Sequence, residues 1–198
     1  MIDWEEYYKI HTNDDIKPNR LLEKITDKLS NIKTAADLGC GAGTDTIFLL
    51  ENGINVYSID KEESSSRIIN QRLKNLHEEN LKTNLVCMIN SFEKINLPKV
   101  DLVNCYNSLS YCEPSYFYQF IDTIKSSINK CGIFVGNFFG TEDSWCGKKN
   151  MTFLTKQNVI ELFNGFDIVE INEIKRKGVT SLKKEKFWHF IDLIAIKK

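Results

Sequence analysis

Apolar positions along this chain follow two rhythms, and the rhythms alternate. The runs at 34–39, 54–59, 85–89, 100–106 and 132–138 are short and nearly continuous, the pattern of strands buried on both faces. Between them lie segments with apolar residues three and four apart, at 19–31, 44–52, 62–79, 114–129 and 155–163. Leu21, Leu22, Ile25 and Leu29 stripe the first; Ile68, Ile69, Leu73 and Leu76 the third; Phe117, Phe120, Ile121, Ile124 and Ile128 the fourth. Gly53 closes the second helical pattern, and Pro114 sits in the first turn of the fourth. Two longer runs, 166–174 and 187–196, follow each other with no helical pattern between them.

Strand–helix alternation predicts an α/β fold: a doubly wound, mostly parallel seven-stranded sheet with helices on both faces. The last two runs predict an antiparallel strand pair at one edge. The chain has 198 residues, enough for one domain over 1–198 with a sizeable core, and it carries no repeats or low-complexity tracts.

The first strand ends in unusual chemistry. Residues 35–43 read Ala-Ala-Asp-Leu-Gly-Cys-Gly-Ala-Gly, a helix begins at Thr44, and the second strand is followed by Asp60. Glycines let the backbone turn sharply and approach a ligand closely. The loop opens onto a helix N-terminus, whose free N–H groups favour an anion. An acid after the second strand is placed to accept hydrogen bonds from a ribose diol. Gly39, Gly41 and Gly43 make G-x-G-x-G, whereas a dinucleotide fold wants G-x-G-x-x-G. The preceding acid, Asp37, suits a ligand with an ammonium group near the loop.

Asp37 to Gly43 together with Asp60 resembles the class I S-adenosylmethionine-dependent methyltransferases, a Rossmann-like family. The final antiparallel pair resembles the same family, so the likeness covers residues 30–198 in layout. It implies that the loop (Asp37, Gly39, Cys40, Gly41, Gly43) contacts the methionine part of S-adenosylmethionine, and that Asp60 and Lys61 lie at its ribose. It further implies that Ser91 and Phe92 meet the adenine, where Asn90-Ser91 replaces the family's usual acid. Tyr106 and Asn107, after the fourth strand, would lie where the transferred methyl sits. A looser likeness is to a bacterial tellurite-resistance or thiopurine-type subgroup. It is carried by Trp4, Tyr7-Tyr8-Lys9, Pro18-Asn19-Arg20, Phe139-Gly140, Asp143-Ser144-Trp145, Met151-Thr152-Phe153, Gly165-Phe166 and Phe187-Trp188-His189-Phe190.

Composition narrows the partners. The formal charge is −1, and only Arg20, Arg67, Arg72 and Arg176 are arginines, a poor set for reading phosphates or guanine. The segment after the fourth strand, Tyr106 to Cys112, is not the Asn-Pro-Pro-Tyr type that amino-methylating nucleic-acid enzymes use. The lysine-rich runs 175–177 and 183–186 read as solvated faces near a hairpin. Six cysteines show no C-x-x-C and no zinc spacing, so they read as buried free thiols, with no metal site. The N-terminus has no signal-peptide pattern, and no run approaches membrane-spanning length, so a cytoplasmic location is expected.

The expected activity is methyl transfer from S-adenosylmethionine to a small molecule, leaving S-adenosylhomocysteine. Chalcogen oxyanions such as tellurite and selenite, or a thiol, are candidate acceptors, and neither needs a general base. Tyr7, Tyr111, Trp145 and His189 are the candidate acceptor pocket, with residues 1–20 as a possible lid. If a base is needed, His189 and Tyr8 are the candidates; a lone histidine in an aromatic strand is otherwise a structural residue. A nicotinamide-dependent oxidoreductase and a non-catalytic S-adenosylmethionine-binding module are the alternatives. The assembly is expected to be a monomer or a homodimer.

Overall fold

The computed structural model describes Tyr8, residues 17–180 and residues 183–198. Among the described residues the order is α1 (Arg20–Glu23), β1 (Thr34–Leu38), α2 (Thr44–Glu51), β2 (Asn55–Asp60), α3 (Glu63–Asn75), β3 (Leu85–Ile89), β4 (Val100–Cys105), α4 (Pro114–Ser127), β5 (Ile128–Gly140), β6 (Phe153–Leu154), α5 (Lys156–Leu162), β7 (Phe166–Val179) and β8 (Glu185–Lys197). The sheet runs β3-β2-β1-β4-β5-β8-β7. Pairing is parallel from β3 to β5 and antiparallel for β5–β8 and β7–β8. The sheet is therefore doubly wound, and the strand order reverses between β1 and β4, where open α/β sheets bind ligands.

An eighth strand joins the seven expected. β5 outruns β4, whose pairing ends at Cys105–Gly136, so Phe139 and Gly140 have an open edge where β6 pairs in parallel. Two residues show no period, which is why the sequence pattern misses this strand.

Strand alternation sorts the core into two faces. Ala36, Leu38, Val103, Phe134, Phe138, Ile191 and Leu193 pack with Phe117, Phe120, Ile121 and Ile124 of α4 and Val159 of α5. Ala35, Val56, Leu102, Ile133, Val135 and Ile194 pack with Leu21 and Leu22 of α1, Ile47 and Leu50 of α2, and Ile69 and Leu73 of α3. All of these side chains are at most 4% exposed. Burial of apolar surface on both sides is the main stabilising term, about 25 cal/mol per Å².

The expected helix over 19–31 is split. The Asn19 side chain caps α1 by accepting from the Leu21 and Leu22 N–H groups, and a 3-10 turn over Thr26–Asn31 follows. Leu21, Leu22, Ile25 and Leu29 stay buried across the break, so packing sets the path rather than helical period. The helix expected over 62–79 stops at Asn75. His77 adopts φ 59, its N–H bonds Lys74 O, and the Glu78 N–H bonds Leu73 O, a left-handed C-terminal cap. β7 and β8 extend past their apolar runs because backbone pairing carries them through Val179↔Glu185.

Two readings of composition need correction. Lys186 is buried, 4% exposed, paired with Asp143 and stacked against Trp145 and Trp188, so 183–186 is not simply a solvated face. Of the free cysteines, Cys105 and Cys112 are buried, Cys40 and Cys87 half-buried, and Cys131 and Cys146 exposed. No helix among the described residues is long and apolar enough to cross a membrane.

Candidate functional site

On the α1–α3 face, each strand from β2 to β8 changes from apolar to polar as it nears one end of the sheet. Asp60 follows Val56 and Ser58 on β2, Asp37 follows Ala35 on β1, and Asn104 follows Leu102 on β4. Asn137 follows Val135 on β5, and Asp192 precedes Ile194 on the antiparallel β8. Sheet register then sets Asp37 beside Asn104 and Asn137 beside Asp192. A polar layer thus lies directly on an apolar one at the carboxyl ends of the parallel strands.

The glycine loop bridges β1 and α2 at this level. Gly39, Gly41 and Gly43 have φ of 72°, 53° and 76°, a region that L side chains rarely adopt. At Gly39 a Cβ would lie 2.4 Å from Ser108 Cβ, and at Gly43 2.2 Å from Ile69 Cγ1. The loop therefore follows its neighbours more closely than any side chain allows. Arg72 of α3 supports it from below, donating from Nη1 to Ala42 O at 2.8 Å and to Thr44 Oγ1 at 2.9 Å.

Two carboxylates flank the loop. Asp37 is 3% exposed and accepts from Thr46 Oγ1 at 2.6 Å and Asn104 Nδ2 at 2.8 Å. Burial and the nearby charge of Asp45 raise its pKa from 3.8 to about 7. Asp60 accepts from the Gly41 N–H at 2.9 Å on Oδ2 and the Glu62 N–H at 3.0 Å on Oδ1. Tyr8 OH lies 3.1 Å from each of its oxygens. Burial and Asp60 push the Tyr8 phenol far up, so it stays protonated and donates.

The remaining polar groups face the reversal of strand order. Asn19 donates from its backbone N and from Nδ2 to Asp45, and from Nδ2 to Asn104 Oδ1. Arg20 donates from Nε to Tyr106 OH at 3.1 Å and from Nη2 to Asp192 Oδ1 at 2.7 Å. The Asp192 side chain is fully buried while that of Arg20 is 39% exposed. Burial raises the Asp192 pKa despite Arg20, and raises that of Tyr106. Asn107, at φ 55, donates its N–H to Asn137 Oδ1 at 2.6 Å and accepts from Asn137 Nδ2 at 2.9 Å. Beyond this floor stands an aromatic wall of Phe139, Phe190, Tyr111, Trp145, Phe153 and Trp188.

Asp37, Gly39, Cys40, Gly41, Gly43, Asp60 and Tyr8 gather around the glycine loop at the carboxyl ends of β1 and β2. Phe92 joins them, its ring 3.4 Å from where a Gly39 Cβ would be and stacked on Phe120. Ser91 precedes Phe92 in the turn after β3, and the Asn90 N–H bonds Asp60 O. Cys40 Sγ lies 3.3 Å from Ser65 Oγ, and burial together with the charges of Asp37 and Asp60 raises its thiol pKa. Lys61 is exposed and pairs with Glu62 at 3.8 Å. Tyr106 and Asn107 lie on the β4 side, and Tyr111 and Trp145 stand in the wall. Tyr7 lies outside the described residues, as does most of the segment 1–20.

His189 lies apart from this group. It alternates with Phe190 and Asp192 and so shares the α4–α5 face with Ile191 and Leu193. Its ring covers Gly140, where a Cβ would lie 2.2 Å from it. Nδ1 accepts from the Glu142 N–H at 3.0 Å, and Nε2 pairs with Glu173 Oε1 at 2.8 Å. Both nitrogens are engaged, on the sheet face that carries Ile191 and Leu193 rather than on the face of Asp37 and Asp60. Arg72, Asp45, Asn104 and Asp192 escaped sequence reading. Asp192 carries the clearest missed signal, a carboxylate inside the apolar run after Phe190.

A family model described as tellurite resistance protein TehB matches residues 2–184. The chain belongs to the TehB family. The solved structure of Haemophilus influenzae TehB superposes with a TM-score of 0.78 at 19% identity, covering 98% of this chain and 67% of that one. Burkholderia thailandensis 1,6-didemethyltoxoflavin-N1-methyltransferase, solved with 1,6-didemethyltoxoflavin and S-adenosylhomocysteine, gives 0.68 at 16% identity, covering 98% and 84%. Magnesium protoporphyrin IX methyltransferase from Synechocystis, solved with bound SAM, gives 0.65 at 17% identity, covering 98% and 79%. No curated protein matches the sequence. This TehB-family chain thus has the Rossmann-like class I methyltransferase fold.

Proposed function

We propose that this TehB-family protein is an S-adenosylmethionine-dependent methyltransferase acting on a small molecule in the cytoplasm, as a monomer or homodimer and without a nucleic-acid partner. The observation that carries this is the cradle of Gly39, Gly41 and Gly43 beside Asp60, whose carboxylate is already bonded by a hydroxyl donor. A ribose diol offers the same donors, so the residues present fit the cofactor. Gly39 to Gly43 and Asp37 would hold its methionine end, Asp60 its ribose, and Phe92 its adenine ring.

The bound cofactor supplies an activated sulfonium methyl. The protein's part is to align the acceptor and exclude water, and alignment alone can contribute roughly 7–11 kcal/mol. Arg20, Tyr106, Asn107, Asn137 and Asp192 would form the floor that orients the acceptor, with the aromatic wall keeping it dry. A chalcogen oxyanion such as tellurite is the acceptor class in keeping with the family description, and a thiol is the other soft nucleophile that needs no base. A second reading is a neutral nitrogen or oxygen nucleophile on a flat ring. It is favoured by the charge here: the carboxylates Asp37, Asp45, Asp60 and Asp192 outnumber the guanidinium groups of Arg20 and Arg72 around the site.

Calorimetry with S-adenosylhomocysteine and with NAD tests the donor. Binding of the first alone is expected, and binding of NAD instead would overturn the reading. Turnover with selenite, tellurite, thiols and aromatic amines or phenols then separates the acceptor classes. Tight donor binding with no methylated product across that panel would leave a binding module.

A further inference from the structure

We infer that Tyr8 is a built-in competitor for the cofactor's ribose, occupying the outward face of Asp60 until the cofactor displaces it. This rests on the donor site proposed above. An ionised carboxylate has about four in-plane acceptor positions. At Asp60 all are spoken for. Oδ1 accepts from the Glu62 N–H and from Tyr8 OH; Oδ2 accepts from the Gly41 N–H and from Tyr8 OH. The two backbone donors belong to the loop and to the turn before α3, and they hold the carboxylate in place. The two positions shared by the phenol are the ones a ribose diol needs.

The phenol is also buried where the ligand would be. Tyr8 is 5% exposed, and its ring lies flush against the loop, Cε1 being 3.1 Å from where a Gly41 Cβ would stand. One hydroxyl shared between two oxygens at 3.1 Å makes two long bonds, whereas a diol makes two separate ones. The exchange therefore favours a ribose that arrives, while in its absence the phenol keeps a buried carboxylate satisfied. Apparent affinity is the intrinsic affinity scaled by the fraction of molecules with Tyr8 displaced. The device sets a threshold for donor binding and couples it to release of Tyr8.

Calorimetry and stopped-flow binding of S-adenosylhomocysteine to the full chain test this, comparing wild type, Tyr8→Phe and Tyr8→Ala. Tyr8→Phe keeps the ring packing and removes the donor, so it remains informative if Tyr8→Ala folds poorly. Both variants are expected to bind about three- to tenfold more tightly, mainly through faster association. Equal or weaker binding by Tyr8→Phe, with wild type binding normally, would overturn the competitor and make Tyr8 a cofactor contact or inert cover. Binding by none of the three would overturn the donor site itself, and the competitor with it.

Discussion

The proposed donor side and the proposed acceptor side of the site are built in opposite ways. The donor side uses consecutive residues: Asp37 to Gly43 on one turn and Asp60 on the adjacent strand. Its geometry is fixed by backbone, through three positive-φ glycines and N–H groups aimed at Asp60. The acceptor side draws Arg20, Tyr106, Asn137 and Asp192 from four separate elements, joined by side-chain bonds such as Arg20–Asp192 and Asn107–Asn137. Backbone-built sites tolerate almost no change at their glycines, whereas side-chain-built sites can be retuned one residue at a time. The same scaffold can therefore keep its donor while its acceptor varies.

Substitution at Gly41 should break the donor side most severely. Gly41→Arg places a side chain in the cradle at a φ of 53° and is expected to lower S-adenosylhomocysteine affinity by about 100-fold or more, with folding retained by circular dichroism. Asp192→Asn attacks the other side. Loosening Arg20 and Tyr106 should lower kcat/KM for the acceptor by roughly 10-fold, while the donor Kd moves less than about threefold. A donor Kd that collapsed as well would mean the two sides are not separable.

Asp37 sharpens the comparison through pH. Its pKa is raised on folding, so the folded state holds the proton more tightly than the unfolded chain. That contribution is complete below about 3.8 and is lost as pH rises through about 7. Urea unfolding at pH 5 and pH 8 should show a fall of roughly 2–4 kcal/mol from this group, and Asp37→Asn should flatten it. The smallest effect on activity is expected at His189. His189→Gln should cost about 1–2 kcal/mol of stability by urea unfolding and leave kcat within about twofold. A lost kcat at unchanged stability would restore it as a base.

What was legible follows from the same contrast. The proposed donor residues lie close in sequence and the loop needs glycine at positive φ, so Gly39, Gly41, Gly43 and Asp60 stand out unaided. The alternation of strands and helices was legible because central parallel strands, buried on both faces, leave continuous apolar runs, whereas edge strand β3 exposes Val86 and Ile89. Asp192 and Asn137 meet only through antiparallel register across β5 and β8, which local periodicity does not encode. The face of His189 was not legible because one step along a strand reverses the face, and its aromatic neighbours Trp188 and Phe190 belong to the aromatic cluster on the other side. The break after α1 was hidden because Leu21, Leu22, Ile25 and Leu29 remain buried in either conformation.

The central claim is that Asp60 receives the donor's ribose at the end of β2. Titrating S-adenosylhomocysteine into wild type and Asp60→Ala by calorimetry tests it most directly. The account predicts binding by wild type and a loss of roughly 30-fold or more in Asp60→Ala, with the fold intact. Equal affinity in the two proteins, or wild type that binds NAD and not S-adenosylhomocysteine, would contradict it.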